Sequence, residues 1–126
     1  MMSAKQIRRF EYESDTWKRQ LSFFREENIY LKKRLIELLQ EELGPVDLEA
    51  AESFQTLFIE QDKLINILSN SVAEFDRLLK RELFGRESLL RTVTLEHLHI
   101  GKKIAVAEAA FDRLKRRFNN YTWEDS

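Results

Sequence analysis

The sequence predicts an all-α fold, an antiparallel up-down-up bundle of three long, heptad-patterned helices with a surface for packing against a second copy. Apolar residues recur at alternating spacings of three and four in three separate runs, which is the pattern of helices that pack along a seam. The 126 residues include only one proline and three glycines. Little of the chain is therefore suited to turns, and the expected organisation is a single helical domain over 1–126.

The first helix is predicted over about residues 4–43. Ser3 and Gln6 have the spacing of a capping box at its start, and Gly44 followed by Pro45 is a strong stop signal. Its seam consists of Ile7, Phe10, Ser14, Trp17, Leu21, Phe24, Asn28, Leu31, Leu35 and Leu38.

The second helix is predicted over about residues 48–84. Asp47 is a favourable N-cap, and Gly85 follows the last seam residues. The serines and asparagine at 69–71 leave open a break within this helix, although the apolar pattern continues in phase across them. Its seam consists of Ala51, Phe54, Phe58, Gln61, Ile65, Leu68, Val72, Phe75 and Leu79.

The third helix is predicted over about residues 88–118, with 119–126 as a frayed tail. The alternative of one long helix through Gly85 costs only about 1 kcal/mol relative to alanine. Against it, the apolar pattern meets Glu82 and Arg86 there. The third seam consists of Leu90, Val93, His97, Ile100, Ile104, Ala107, Phe111, Leu114, Phe118 and Tyr121.

Residue numbers give a test of the antiparallel arrangement, because facing residues of two antiparallel helices have a constant sum. In the first two seams that sum is 89, centred near the Gly44–Pro45 turn, and it places Asn28 opposite Gln61. A buried amide without a partner costs about 1 to 3 kcal/mol, whereas paired amides are satisfied. We therefore expect Asn28 and Gln61 to form a polar core pair that sets the register of the two helices.

Composition excludes several classes of function. The chain has 21 basic and 22 acidic residues and a net charge of -1, without the basic excess of a nucleic-acid-binding protein. No apolar stretch approaches the length of a membrane span, and the absence of cysteine is compatible with a reducing compartment. We expect a cytoplasmic protein that does not bind membranes. Nucleic-acid binding through the basic clusters at Arg8 and Arg9, at Lys80 and Arg81, and over 113–117 is a third, less favoured hypothesis.

Few residues suggest catalysis or the binding of a metal or cofactor. Glycine loops and nucleophile motifs are missing, which predicts a protein that is not an enzyme and needs no cofactor. Glu96 and His99 have the E-x-x-H spacing of helical di-iron sites, with His97 beside them, but those sites use the motif twice. A metal- or small-ligand-binding bundle using these three residues is the alternative function. As a core residue, His97 is expected to accept a hydrogen bond from Ser14.

The most informative feature of the sequence is that it has more apolar residues than the three seams require. A helix that is apolar on more than one side is normally buried on more than one side. The sequence therefore predicts a helical interaction or scaffold module that forms a homodimer or binds another helical protein. The predicted contact residues are Phe23, Ile29, Tyr30, Leu95, Leu98, Ala105, Val106 and Ala109.

The heptads, the antiparallel order and Trp17 resemble spectrin-type three-helix modules. The resemblance concerns architecture, and an architecture of this kind serves many unrelated functions.

Overall fold

Three helices that pack against one another make up the protein, as a computed structural model shows for residues 2–41, 48–84 and 89–124. They are α1 (Ala4–Gln40), α2 (Leu48–Phe84) and α3 (Leu90–Glu124). The predicted all-α class is confirmed. The predicted signals at Gly44, Pro45, Asp47 and Gly85 lie outside the described residues. None of the helices in the described ranges is long and apolar enough to cross a membrane.

The start of α1 is the predicted capping box. The Gln6 backbone N–H donates to Ser3 Oγ at 3.1 Å, and the Ser3 N–H donates to Gln6 Oε1 at 2.9 Å. The helix ends at Gln40, three residues before the predicted end, because the Glu41 backbone is extended. Continuing the helix would place the Glu41 carboxylate at the negative end of the helix dipole, which is unfavourable.

Helix α2 is continuous through 69–71, so the alternative of a break there is wrong. The Ser71 hydroxyl donates to the Ile67 carbonyl, one turn earlier on the same helix. Ser69 faces α1, where its hydroxyl accepts a hydrogen bond from Arg25. Both serine side chains therefore bond without interrupting the helix.

Helix α3 continues to Glu124, so the frayed tail predicted to begin at residue 119 is wrong over 119–124. Tyr121 explains the extension. Its ring centroid lies 5.1 Å from that of Phe54 on α2 and 6.2 Å from that of Phe118. The last turns of α3 therefore have an aromatic contact that anchors them to α2.

The core consists of two apolar clusters separated by one polar layer. On α1, Phe24 belongs to the first cluster and Leu31 to the second; on α2, Ile65 belongs to the first and Phe58 to the second. Asn28 and Gln61 lie between them in sequence on the two helices, and both are buried. The seams thus place the two amides in one layer, as predicted.

Contacts between helices follow a simple order. As residue numbers rise from Ser14 to Asn28 on α1, their hydrogen-bond partners on α2 fall from Asp76 to Asp62. Between α1 and α3 the numbers rise together, from the pair of Glu13 with His97 to the pair of Glu27 with Lys115. This order determines which side chains flank each groove between two helices.

Candidate interaction site

The buried amide of Asn28 bonds to α2 in a way that differs from the prediction. Its Nδ2 donates to the Phe58 carbonyl at 2.9 Å and to Asp62 Oδ1 at 2.6 Å. Gln61, one residue before Asp62, forms no hydrogen bond with it, so the predicted reciprocal amide pair is wrong. The physical reason is charge: a carboxylate is a stronger acceptor than a neutral amide.

The Asn28 network is repeated two heptads earlier along α1. Lys32 binds the second oxygen of Asp62 at 2.5 Å. Correspondingly, Ser14 donates to Asp76 Oδ1, and Lys18 binds Asp76 Oδ2 at 2.6 Å. In both networks a small polar residue and a lysine one turn later share one aspartate of α2. The hydrogen bond to Asp76 raises the pKa of Lys18 above its ordinary value of 10.5.

Arg25 continues the same side of α1 between these two networks. It lies seven residues after Lys18 and seven before Lys32. Its guanidinium donates to Asn66 Oδ1 at 3.3 Å and to Ser69 Oγ at 3.4 Å. The α1–α2 groove is therefore bridged by polar contacts at three successive heptads.

Glu82 is a buried carboxylate that the sequence reasoning treated only as the end of the seam. It is 3% exposed and connects the starts of α1 and α3 to the end of α2. Its Oε1 accepts from the Met2 backbone N–H at 2.9 Å, and its Oε2 accepts from the Leu89 N–H. These two bonds lower the pKa of Glu82 below its ordinary 4.5. Its position three residues after Leu79, in phase with the seam, was the available signal.

His97 packs in an aromatic cluster formed by all three helices. Its ring centroid lies 5.0 Å from that of Phe10 and 5.3 Å from that of Trp17, and its Nε2 pairs with Glu13. The predicted hydrogen bond with Ser14 is wrong, because that hydroxyl donates to Asp76. A histidine held in this way supports the aromatic layer.

The three residues of the alternative metal site do not come together in the structure. Glu96 and His99 are exposed, whereas His97 is half-buried against α1. Within the described ranges, no three His, Asp or Glu side chains come close enough together to hold a metal ion.

All eight predicted contact residues are exposed in the isolated chain. The large ones keep about half or more of their side-chain surface in water, with Tyr30 66% exposed and Val106 68% exposed. The remaining large ones are Phe23, Ile29, Leu95 and Leu98. None of them is absorbed by a wider core.

Most of these residues gather beside the groove between α1 and α3, and we call this surface the α1–α3 face. Phe23 and Asp112 line that groove. Residues seven apart share one side of a helix that packs in heptads, so Tyr30 continues from Phe23, and Ala105 and Leu98 continue from Asp112. The α1–α3 face consists of Phe23, Tyr30, Leu98 and Ala105, with Leu95 and Ala109 on the adjoining outer side of α3.

Two predicted contact residues belong to other surfaces. Ile29 lies two heptads after Asp15, which lines the groove between α1 and α2. Val106 lies one heptad before Arg113, which lines the groove between α2 and α3. The eight residues therefore do not form one surface, because the sequence identifies exposed positions without showing which neighbouring helix each one adjoins.

Comparisons of the chain with protein-family models, with curated proteins and with solved structures return no match.

Proposed function

We propose that this chain is a non-enzymatic helical interaction or scaffold module of the cytoplasm. It self-associates as a homodimer, or binds another helical protein, through the α1–α3 face. Within the module the helices run up, down and up. The order of partner numbers described above supports this arrangement, since such an order requires α2 to run against α1 and α3 to run with it.

The exposed apolar surface carries the proposal. Phe23 is 56% exposed, Leu98 is 49% exposed and Tyr30 is 66% exposed, all on one face of two adjacent helices. Exposed apolar side chains that follow one groove mark interaction sites more often than side chains scattered singly do. A two-fold axis would place this face against the same face of a second copy.

Gly101 gives this face a further feature. It lies one heptad before Glu108, which lines the α1–α3 groove. A Cβ built at Gly101 would meet no atom within 4 Å, so packing within the chain does not require a glycine there. A glycine in a helix interior costs about 1 kcal/mol relative to alanine. Close approach of another helix would account for its presence.

Gly101→Ala separates the effect of Gly101 on helix stability from its effect on contact with another helix. We expect the variant to raise the free energy of unfolding by about 1 kcal/mol through helix propensity, measured by urea denaturation at low protein concentration. We expect the same variant to weaken self-association, measured by sedimentation equilibrium. A more stable variant with unchanged association would remove Gly101 from the contact.

Introducing a charged residue into the α1–α3 face tests the proposed self-association directly. Tyr30→Glu and Leu98→Glu should each shift the protein toward the 15.1 kDa monomer in sedimentation equilibrium while leaving helicity unchanged. Ile59→Glu is the matched control, because Ile59 is 44% exposed on α2. A wild-type chain that stays monomeric at high concentration and captures no helical partner through this face would contradict the proposal.

A further inference from the structure

The three grooves of the bundle differ in how their charges are used. Ion pairs bridge the grooves that involve α1: Lys18 with Asp76, Lys32 with Asp62, and Lys115 with Glu27. No ion pair joins α2 to α3 among the side chains described in 48–83 and 89–122. The third groove nevertheless carries the charged side chains of Glu60, Arg113 and Arg117.

The α2–α3 groove has an apolar floor and a charged rim. Its floor is formed by Leu57, Leu64, Ala110 and Leu114. Arg113 and Arg117 stand one helical turn apart on its α3 side, and neither forms an ion pair with the described residues. Arg117 lies over the Phe54 ring at 5.9 Å. The two guanidinium groups thus lie beside apolar surface, exposed to solvent and without an ion-pair partner among the described residues.

Gln61 adds an unused polar group to the same groove. Its side chain is only 9% exposed and lines the groove between Leu57 and Leu64. Among the described residues it has no hydrogen-bond partner, whereas the Asn28 Nδ2 donates two hydrogen bonds. The Gln61 amide therefore remains available to hydrogen-bond with a ligand in the groove.

The apolar surface extends beyond the floor. Ile67 follows Glu60 by one heptad and is 61% exposed, while Val106 precedes Arg113 by one heptad and is 68% exposed. Since partner numbers fall on α3 as they rise on α2, both residues lie further along the same groove in the same direction. The groove is therefore long and open to solvent, which suits a helix lying along it.

We propose that the α2–α3 groove binds an acidic amphipathic helix of a partner protein. The apolar face of that helix covers Leu64, Ile67 and Val106. Carboxylates one turn apart on it pair with Arg113 and Arg117, because guanidinium groups bind carboxylates in a two-pronged geometry. Its polar side chains can also bond to Gln61. This groove is separate from the α1–α3 face, so both contacts can form on one molecule.

The test uses two fluorescein-labelled helical peptides of about 20 residues, or about 30 Å, with identical leucine seams. One peptide carries glutamates at i and i+4 beside the seam, and the other carries lysines at the same positions. We expect the full chain to bind the acidic peptide saturably in fluorescence anisotropy, and the lysine peptide at least about tenfold more weakly.

Variants locate the binding. Arg113→Gln with Arg117→Gln should weaken binding of the acidic peptide by about tenfold or more, and Arg113→Gln alone should give a smaller loss. Arg116→Gln is the matched control, since Arg116 is exposed outside the groove, and it should leave binding unchanged. Circular dichroism verifies that each variant is folded.

Four results would overturn this inference. The first three are no saturable binding of the acidic peptide up to about 1 mM, equal binding of both peptides, and unchanged binding by the double arginine variant. A fourth is loss of self-association by that variant without peptide, which would show that a second copy covers the groove. Tyr30→Glu should still bind the acidic peptide, so failure of the proposed homodimer and failure of this site are distinguishable.

Discussion

The α1–α2 and α2–α3 interfaces follow the same heptad rule but are built from different interactions. Aspartates of α2 bind a polar side chain and a lysine of α1 at two levels, 14 residues apart. Aromatic contacts span both interfaces, since Phe75 of α2 packs against Phe10 and Trp17 of α1. At the α2–α3 interface, where the Phe118 ring centroid lies 5.3 Å from that of Phe54 and 5.2 Å from that of Phe58, they occur without an ion pair among the described side chains. We conclude that apolar packing supplies most of the stability, whereas the polar networks select how α1 and α2 align.

The strongest test of this difference is Phe58→Ala. Phe58 is fully buried between Phe54 and Phe118, and truncating a buried phenylalanine costs about 3 to 5 kcal/mol. We expect that loss in the free energy of unfolding by urea. Ile59→Ala, at the adjacent exposed position, should change it by less than about 0.5 kcal/mol. Similar losses for both variants would contradict the aromatic account of this interface.

Asn28→Ala tests the polar network and should have the next largest effect. The substitution removes both hydrogen bonds to α2 and leaves the Phe58 carbonyl without its bond from Asn28, so we expect a loss of about 1 to 3 kcal/mol in unfolding free energy. Asn66→Ala, which removes only an exposed bond to Arg25, is the control. An effect of Asn28→Ala no larger than the control would show that the buried network contributes no stability.

Glu82→Gln tests the carboxylate that joins the ends of all three helices. The pKa of Glu82 is lowered in the folded chain, so its contribution is present above pH 4.5 and is lost as the pH falls through the folded pKa. We expect the variant to have a lower Tm at neutral pH, and the difference from wild type to shrink in acid. A difference that does not change between neutral and acidic pH would exclude the charge as its cause.

Lys18→Met should give the smallest effect. Asp76 raises the pKa of Lys18 above 10.5, so the stabilisation is present below pH 10.5 and is lost as the pH rises through the higher folded pKa. Because the lysine side chain is 51% exposed, solvent screens the pair and we expect less than about 1 kcal/mol. Urea unfolding at neutral pH and above pH 10.5 should show this difference disappear; a constant difference would assign it to side-chain packing.

Several of the polar partners repeat along the sequence in a pattern that apolar periodicity does not detect. Ser14 and Asn28, Lys18 and Lys32, and Asp76 and Asp62 are three pairs of related residues, each 14 residues apart. A search for polar residues that repeat at this spacing on both helices would have found the networks. The flanking positions matter because they decide which charged groups meet across a groove.

The sequence by itself determined the three helices, the capping box at Ser3 and the inward-facing residues, because helical periodicity is a local property. It also placed Asn28 and Gln61 in one layer. Only the tertiary structure decided that Asn28 bonds to Asp62, that Ile29 and Val106 lie on different surfaces, and that Arg113 has no ion-pair partner among the described residues. These outcomes depend on the rotation and axial offset of neighbouring helices, and periodicity along one helix contains neither quantity.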